Sequence, residues 1–280
     1  MHASYPRLAQ IFYTVLPALL LAQFVVWPIV GPSSPHIGII AAECTLLCFA
    51  ALHIRRHRLI TEDLLLLNAT PLATLLLTIP VAICCSLVIT EFDLYLAGIL
   101  EIAMPISYQK NLLELQIIRS LADAPGGLAA LVLFPALCEE PFFRGFVLTG
   151  LYAHYGARWA LGGSALLFAA SHLNPWQFLP LLLFGLFLGA LVHWTHSIYP
   201  AILAHALNNL VSIAGVNLQT HWGLDSIGPN QHLPIPLVFV AALILLIGLL
   251  LLSRQAPVIP FLIRRESDGK KLGFDPLKIG

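Results

Sequence analysis

Three clusters of polar side chains lie in a part of the chain that is otherwise strongly apolar. They are Glu139, Glu140 and Arg144, then His172, then His205 with Asn209. A buried carboxylate beside an imidazole can take a proton from water. A second imidazole with an amide can donate hydrogen bonds to an oxygen that gains negative charge. Together these groups are the parts needed to hydrolyse an amide without a covalent intermediate.

Helical spacing places the members of each cluster on one face. Three pairs are four residues apart and therefore one turn apart on a helix: Glu140 with Arg144, Phe168 with His172, and His205 with Asn209. Glu139 has no such partner in sequence, so it must meet a group from another helix or be held partly protonated. Ser171 directly precedes His172, and adjacent side chains on a helix do not face one another. The histidine motifs therefore contain no recognisable serine nucleophile.

The composition indicates which elements position these residues. The chain has 280 residues, of which 59% are hydrophobic and 10% are charged. Soluble domains carry about 25% charged residues, so the sequence predicts a polytopic membrane protein. The five cysteines fall in apolar runs, which favours packing roles over disulfides or zinc ligands. Ionisable residues in such segments are costly and commonly functional.

The apolar runs predict an all-α protein of about eight transmembrane helices around a central polar cavity. These spans are 9–30, 36–54, 70–90, 126–151, 159–173, 177–195, 198–215 and 233–252. Residues 1–280 are interpreted as one domain with a catalytic core at 126–215. Residues 91–124 alternate charged and apolar positions, which predicts an interfacial or re-entrant segment. Residues 253–280 form a basic C-terminal tail.

The distribution of basic residues predicts the orientation. Arginine and lysine follow the second and last spans, whereas the loops 31–35 and 216–232 contain neither. By the positive-inside rule, both termini face the cytoplasm of a cell (inner) membrane. Helix lengths then place the carboxylate and both imidazoles near the middle of the membrane, where they can meet.

The ordered motifs resemble those of the CAAX-protease and bacteriocin-processing family of intramembrane endopeptidases, also called the abortive-infection family. The family pattern is Glu-Glu-x-x-x-Arg, then Phe-x-x-x-His, then His-x-x-x-Asn, on separate helices. This chain has the first motif at 139–144, the second at 168–172 and the third at 205–209, so the resemblance covers about residues 126–215. Pro141 departs from the motif, and we expect it to kink the helix beside Glu139.

The resemblance implies a glutamate-dependent endopeptidase that cuts near the membrane-anchored end of its substrate. Glu139 would activate water with His172, and His205 with Asn209 would stabilise the oxyanion. Glu140 and Arg144 would support the site by pairing. The implied substrate is a membrane-associated peptide or protein, such as a CAAX-type tail, a sorting signal or a precursor peptide. Membrane lipid is the other expected partner, nucleic acid is not expected, and the oligomeric state is left open.

Two alternatives remain open at this point. No cofactor is expected, but Glu139, His172 and His205 would be the ligands if a divalent metal such as zinc were used. A non-catalytic membrane protein, such as a transporter or an immunity-type binding factor, would use the same charges for transport or binding. Outside the motifs, Glu43 and Glu101 either line a substrate path or make hydrogen bonds between helices.

Overall fold

The computed structural model describes residues 5–100, 105–222 and 232–255. These ranges contain helices and connecting turns, with no β-strand among them. The helices are α1 (Leu8–Val30), α2 (Pro35–His57), α3 (Thr61–Leu65), α4 (Leu72–Leu100), α5 (Ile106–Gln116), α6 (Ala124–Tyr155), α7 (Ala157–Ser171), α8 (Phe178–Thr195), α9 (Tyr199–Trp222) and α10 (Ile235–Ser253). The predicted all-α class is confirmed. Most of the predicted C-terminal tail, and Glu101, lie outside the described residues.

Seven of the helices in the described part of the chain are long and apolar enough to cross a membrane. The helix at the remaining predicted span, α7, has only 15 residues. At about 1.5 Å per residue it reaches roughly 22 Å, less than the ~30 Å hydrocarbon thickness. The chain is therefore a multi-pass membrane protein, and its short α7 relies on packing against longer neighbours.

The third span is longer than predicted. Helix α4 continues without a break from Leu72 to Leu100, so its last ten positions belong to the segment expected to be interfacial. Glu91 explains this continuation because its carboxylate is buried and satisfied. Its Oε1 lies 2.8 Å from Nδ1 of His232, and its Oε2 accepts the Leu233 N–H at 3.0 Å. A charge expected to end the span instead ties α4 to the start of α10.

Helix α6 carries the Glu-Glu motif and is irregular at two places. Residues Ala129–Leu133 and Pro141–Val147 form π-helical turns, and Phe134–Glu140 between them is α-helical. Pro141 has no N–H to donate to the carbonyl of Leu137, so regular α-helical bonding stops there. The expectation that Pro141 disturbs the helix beside Glu139 is confirmed. Such π-turns are frequent at functional sites.

The bundle is arranged around the middle of α6. The stretch Phe134–Glu140 packs against α2 on one side and α9 on another, and the stretch after it packs against α7. Outside this centre, α4 packs along both α9 and α10, and α7 packs along α8. The carboxylates of α6 consequently lie in the protein interior, where the neighbouring helices can supply partners.

One close helix approach gives a testable expectation about the fold. A Cβ atom on Gly38, near the start of α2, would lie 2.6 Å from the Gly31 Cα atom at the end of α1. Gly38→Ala should therefore lower the free energy of unfolding by about 1–3 kcal/mol, because the backbone must move. The control is Gly162→Ala in α7, where a Cβ meets nothing within 4 Å. That variant should gain up to ~1 kcal/mol from helix propensity. Thermal unfolding in one detergent compares them, and equal midpoints would contradict the close approach.

Candidate active site

Glu140 is the centre of a buried polar network. Its Oε1 atom accepts hydrogen bonds from Arg144 Nη1 at 3.0 Å and from His205 Nδ1 at 2.7 Å. Glu140 and Arg144 have no accessible surface, and His205 is also buried. The expected i,i+4 pair is therefore present, and it also holds the histidine of α9. Because the carboxylate can only accept, His205 donates through Nδ1, and its Nε2 remains available.

Arg144 reaches two further helices. Its Nη2 donates to the Gly185 carbonyl on α8 at 3.2 Å. Its guanidinium carbon lies 4.2 Å from the centre of the Phe168 ring on α7. A Cβ on Gly185 would approach Ala165 and Phe168 at 3.1–3.2 Å, so glycine permits this packing. Arg144 thus connects α6 to α7 and α8, and the planar guanidinium suits both contacts.

Glu139 is buried beside this network but does not share its partners. Its accessible fraction is 7%, and its Oε2 atom has no hydrogen-bond partner within the described residues. The carboxyl of Glu43 on α2 is a neighbouring titratable group, and its Oε2 atom is likewise buried without a hydrogen-bond partner among the described residues. Whether Glu139 gains a partner from another helix or is held partly protonated remains a prediction. A buried carboxylate oxygen without a donor is costly and is a feature expected of a functional group.

His172 lies at the C-terminal end of α7. Its Nδ1 donates to the carbonyl of Phe168 at 2.9 Å, which leaves the lone pair on Nε2. The side chain is half-buried, unlike that of His205. The described residues show no hydrogen bond between His172 and Glu139. The predicted cooperation between these two side chains therefore remains a prediction about the substrate complex, in which catalytic hydrogen bonds often tighten.

The ring of Phe168 joins the two histidines. Its centroid lies 4.9 Å from that of His172 and 5.9 Å from that of His205, both in edge-to-face contacts. Both imidazoles are consequently in the same part of the interior as the Glu140–Arg144 pair. The motif phenylalanine therefore acts as the packing surface between the second and third motifs.

Asn209 lies one turn after His205 on α9, as its spacing predicts, but its hydrogen-bond partner is another asparagine. The Nδ2 atom of Asn208 donates to Asn209 Oδ1 at 3.3 Å. Asn208 in turn accepts from Ser86 Oγ of α4 at 2.9 Å. Neither Asn208 nor Ser86 was predicted as a site residue. The available signal was the pair of adjacent asparagines in an apolar helix, since each buried amide needs a partner.

The proposed metal ligands do not form a metal site in this arrangement. Within the described residues, no three His, Cys, Asp or Glu side chains lie close enough together to hold one ion. His205 Nδ1 bonds to Glu140 and His172 Nδ1 to a backbone carbonyl, which leaves Nε2 of each ring free to bind a ligand, so the separation of the three groups is what argues against the site. The residues present do not fit a zinc ion bound by Glu139, His172 and His205, so no step is derived through a metal.

The arrangement brings a proton acceptor and potential donors into one buried region. Glu139 offers an unpartnered oxygen, and His172 offers Nε2 at the edge of the interior. His205 can present Nε2–H when both of its nitrogens are protonated, a form that Glu140 stabilises.

A cavity of about 270 Å³ lies away from these residues, between α2 and α3. It is lined by Leu47, Ala50, Ala51, Ile54, Arg55, Arg58, Leu59, Thr61 and Leu65.

The comparisons with known proteins agree with the motifs. Residues 122–211 match the family model described as type II CAAX prenyl endopeptidase Rce1-like. The matched segment contains all three motifs and nearly coincides with the predicted core. A search of curated proteins and a search of solved structures each returned no match.

Proposed function

We propose that this chain is a glutamate-dependent intramembrane endopeptidase, because residues 122–211 match the family model described as type II CAAX prenyl endopeptidase Rce1-like and lie within a multi-pass membrane protein. The observation that carries the proposal is the buried cluster formed by the three motifs. Glu139 provides an oxygen without a donor, beside a pair of charges that is fully buried. Burial of this kind costs stability, and groups buried in this way in a membrane protein are commonly functional.

In the proposed reaction, Glu139 is the general base. One oxygen of its carboxylate takes a proton from a water molecule, and the resulting hydroxide attacks the carbonyl carbon of the substrate peptide bond. Glu139 then returns that proton to the leaving amine as the tetrahedral intermediate collapses. His172, with a lone pair on Nε2 fixed by its bond to the Phe168 carbonyl, orients the same water molecule.

His205 and Asn209 stabilise the negative oxygen of the tetrahedral intermediate. With Nδ1 held by Glu140, His205 directs Nε2–H toward the oxyanion, and Asn209 contributes its amide from the next turn of α9. Glu140 plays the part of the aspartate in a catalytic triad, since it fixes the orientation of the imidazole and stabilises its positive charge. Arg144 holds Glu140 in place through the short bond between them.

The proposed substrate is a peptide close to a membrane anchor. A CAAX-type tail is the first class to test, because the matched family model is that of prenyl endopeptidases. A sorting signal or a precursor peptide carries the same scissile amide bond beside an apolar anchor. With α7 counted as a crossing, the proposed topology has eight spans and both termini on one side, which the distribution of basic residues predicts to be the cytoplasmic side.

The proposal is tested by reconstituting the purified protein in vesicles with two peptides. One ends in a farnesylated CAAX sequence, and the other has the same sequence but is anchored by a transmembrane segment. Mass spectrometry locates the cut in each. We expect the wild type to cleave at least one of the two peptides and Glu139→Gln to cleave neither. The peptide that the wild type prefers identifies the class of anchor. Equal cleavage by both preparations would reveal a contaminating protease and contradict the proposal.

We also expect hydrolysis to be independent of divalent metal. Incubation with 1,10-phenanthroline or EDTA, followed by dialysis, should leave the rate unchanged, because Glu139, His172 and His205 do not converge on one point. The control is the same treatment of a zinc endopeptidase in identical vesicles. Loss of activity with recovery on adding Zn²⁺ would contradict the metal-free mechanism and favour the ligand set considered from the sequence.

A further inference from the structure

The proposed mechanism does not use Glu43, a carboxyl group inside the membrane-spanning part of α2. Helix α2 packs directly against the Phe134–Glu140 stretch of α6, and the Glu43 and Glu139 carboxyl groups are electrostatic neighbours across this contact. Glu43 lies before the segment that matches the family model, so its role does not follow from the motifs. Two neighbouring carboxyl groups in a buried site require an explanation.

The oxygens of this pair indicate that a proton lies between the two groups. Glu43 Oε2 and Glu139 Oε2 are both buried, and neither has a hydrogen-bond partner in the described part of the chain. Two carboxylates cannot both stay ionised at contact distance in a medium of low dielectric constant. One shared proton removes the repulsion and supplies the missing donor.

The surrounding groups distinguish the two carboxyls. Glu139 lies on α6 directly before Glu140, which is paired with Arg144, and Arg144 also acts on Glu139. Glu43 on α2 makes no ion pair with a basic side chain in the described part of the chain, and the other titratable groups beside the pair are the free thiols of Cys44 and Cys138. The shared proton is therefore assigned to Glu43.

We infer that Glu43 is a positioning residue for Glu139. As a carboxylic acid it donates its O–H to one oxygen of the Glu139 carboxylate, and the other oxygen then faces the water that is to be deprotonated. Glu43 keeps its own proton throughout, and the proton from water goes to Glu139. This inference rests on the proposed function for the role of Glu139, but the carboxyl pair itself does not.

Two substitutions separate the hydrogen bond from the charge. Gln at position 43 has nearly the same shape and retains an N–H donor, whereas Leu fills the space without a donor. Glu43→Gln should lower kcat by at most about threefold, and Glu43→Leu by about 10- to 100-fold with KM unchanged, since a hydrogen bond to a charged group is lost. The inference would be overturned if Glu43→Gln lowered kcat as much as Glu43→Leu does. It would also be overturned if Glu43→Leu kept full activity.

An infrared measurement tests the carboxyl pair without relying on activity or on the Leu variant. At neutral pH the wild type should show the C=O stretching band of a protonated, buried carboxylic acid, and Glu43→Gln should remove it. Glu91→Gln is the matched control, because Glu91 is also buried but accepts bonds from His232 and Leu233. Its substitution should leave the band in place. If Glu43→Gln retains the band, the shared proton is disproved. If the band is lost but the wild type cleaves no peptide, only the proposed function fails.

Discussion

Glu139→Gln is expected to abolish peptide hydrolysis while the protein remains folded. The amide cannot take a proton from water, so the rate should fall by about 10²–10⁴-fold, the usual contribution of a general base. The fold should survive because Glu139 makes no ion pair within 4 Å among the residues that the structure describes, in contrast to Glu140. In the inferred carboxyl pair, the amide oxygen of Gln can still accept the hydrogen bond that Glu43 donates. The measurements are kcat for a membrane-anchored peptide and the midpoint of thermal unfolding.

The matched control for this variant is Glu91→Gln. It changes another buried carboxyl group, on α4, a helix that carries none of the three motifs. That substitution weakens the connection between α4 and α10, so it should lower the unfolding midpoint and leave kcat near the wild-type value. Glu139→Gln is thus expected to lower activity and not stability, and Glu91→Gln to lower stability and not activity. A folded Glu139→Gln protein with wild-type turnover would exclude Glu139 as the base.

Arg144→Met is expected to be the most destabilising single change in the site. It removes the guanidinium from Glu140 and from the Gly185 carbonyl, and it leaves a carboxylate with no accessible surface beside a single imidazole. Breaking a buried pair from one side costs about 3–5 kcal/mol, because the remaining charge stays uncompensated. Equilibrium unfolding in mixed micelles should show this loss, and activity should be lost with it.

Lys110→Met provides a control with the same helical spacing. Lys110 and Glu114 also form an i,i+4 pair, but their N–O distance is 3.8 Å and their side chains are 71% and 49% accessible. Such an exposed pair is worth about 0–1 kcal/mol, so its loss should barely change unfolding. The double variant Glu140→Leu with Arg144→Met should recover much of the stability lost in Arg144→Met, since no charge remains unpaired. Equal losses in Lys110→Met and Arg144→Met would contradict the importance given to burial.

The parts of the site that follow from local geometry could be predicted from the sequence. The bond between Glu140 and Arg144 is set by the helical period, and the motif order was sufficient to identify the helices that carry chemistry. The charged character of Glu91 misled the prediction for α4. A carboxylate predicts the end of a span only when no distant group satisfies it, and His232 lies 141 positions away.

Contacts between helices could not be obtained in the same way. The pairing of Glu43 with Glu139 depends on the rotation of α2 about its axis and on its register against α6, and neither is specified by an apolar run. The same holds for the bond from Arg144 to the Gly185 carbonyl, whose acceptor is backbone and leaves no signal in the sequence. The partners of single buried charges thus depend on how the helices pack, which the sequence pattern does not specify.

The most direct test of the central claim compares membranes from cells that express either the wild type or Glu139→Ala at equal levels. New N- and C-termini of membrane-associated proteins are mapped by mass spectrometry in both. We expect a set of termini that appears only with the wild type, located near the membrane-anchored ends of its substrates and on one side of the membrane. Identical sets of termini from two well-expressed proteins would contradict proteolysis and favour a non-catalytic role for the buried cluster.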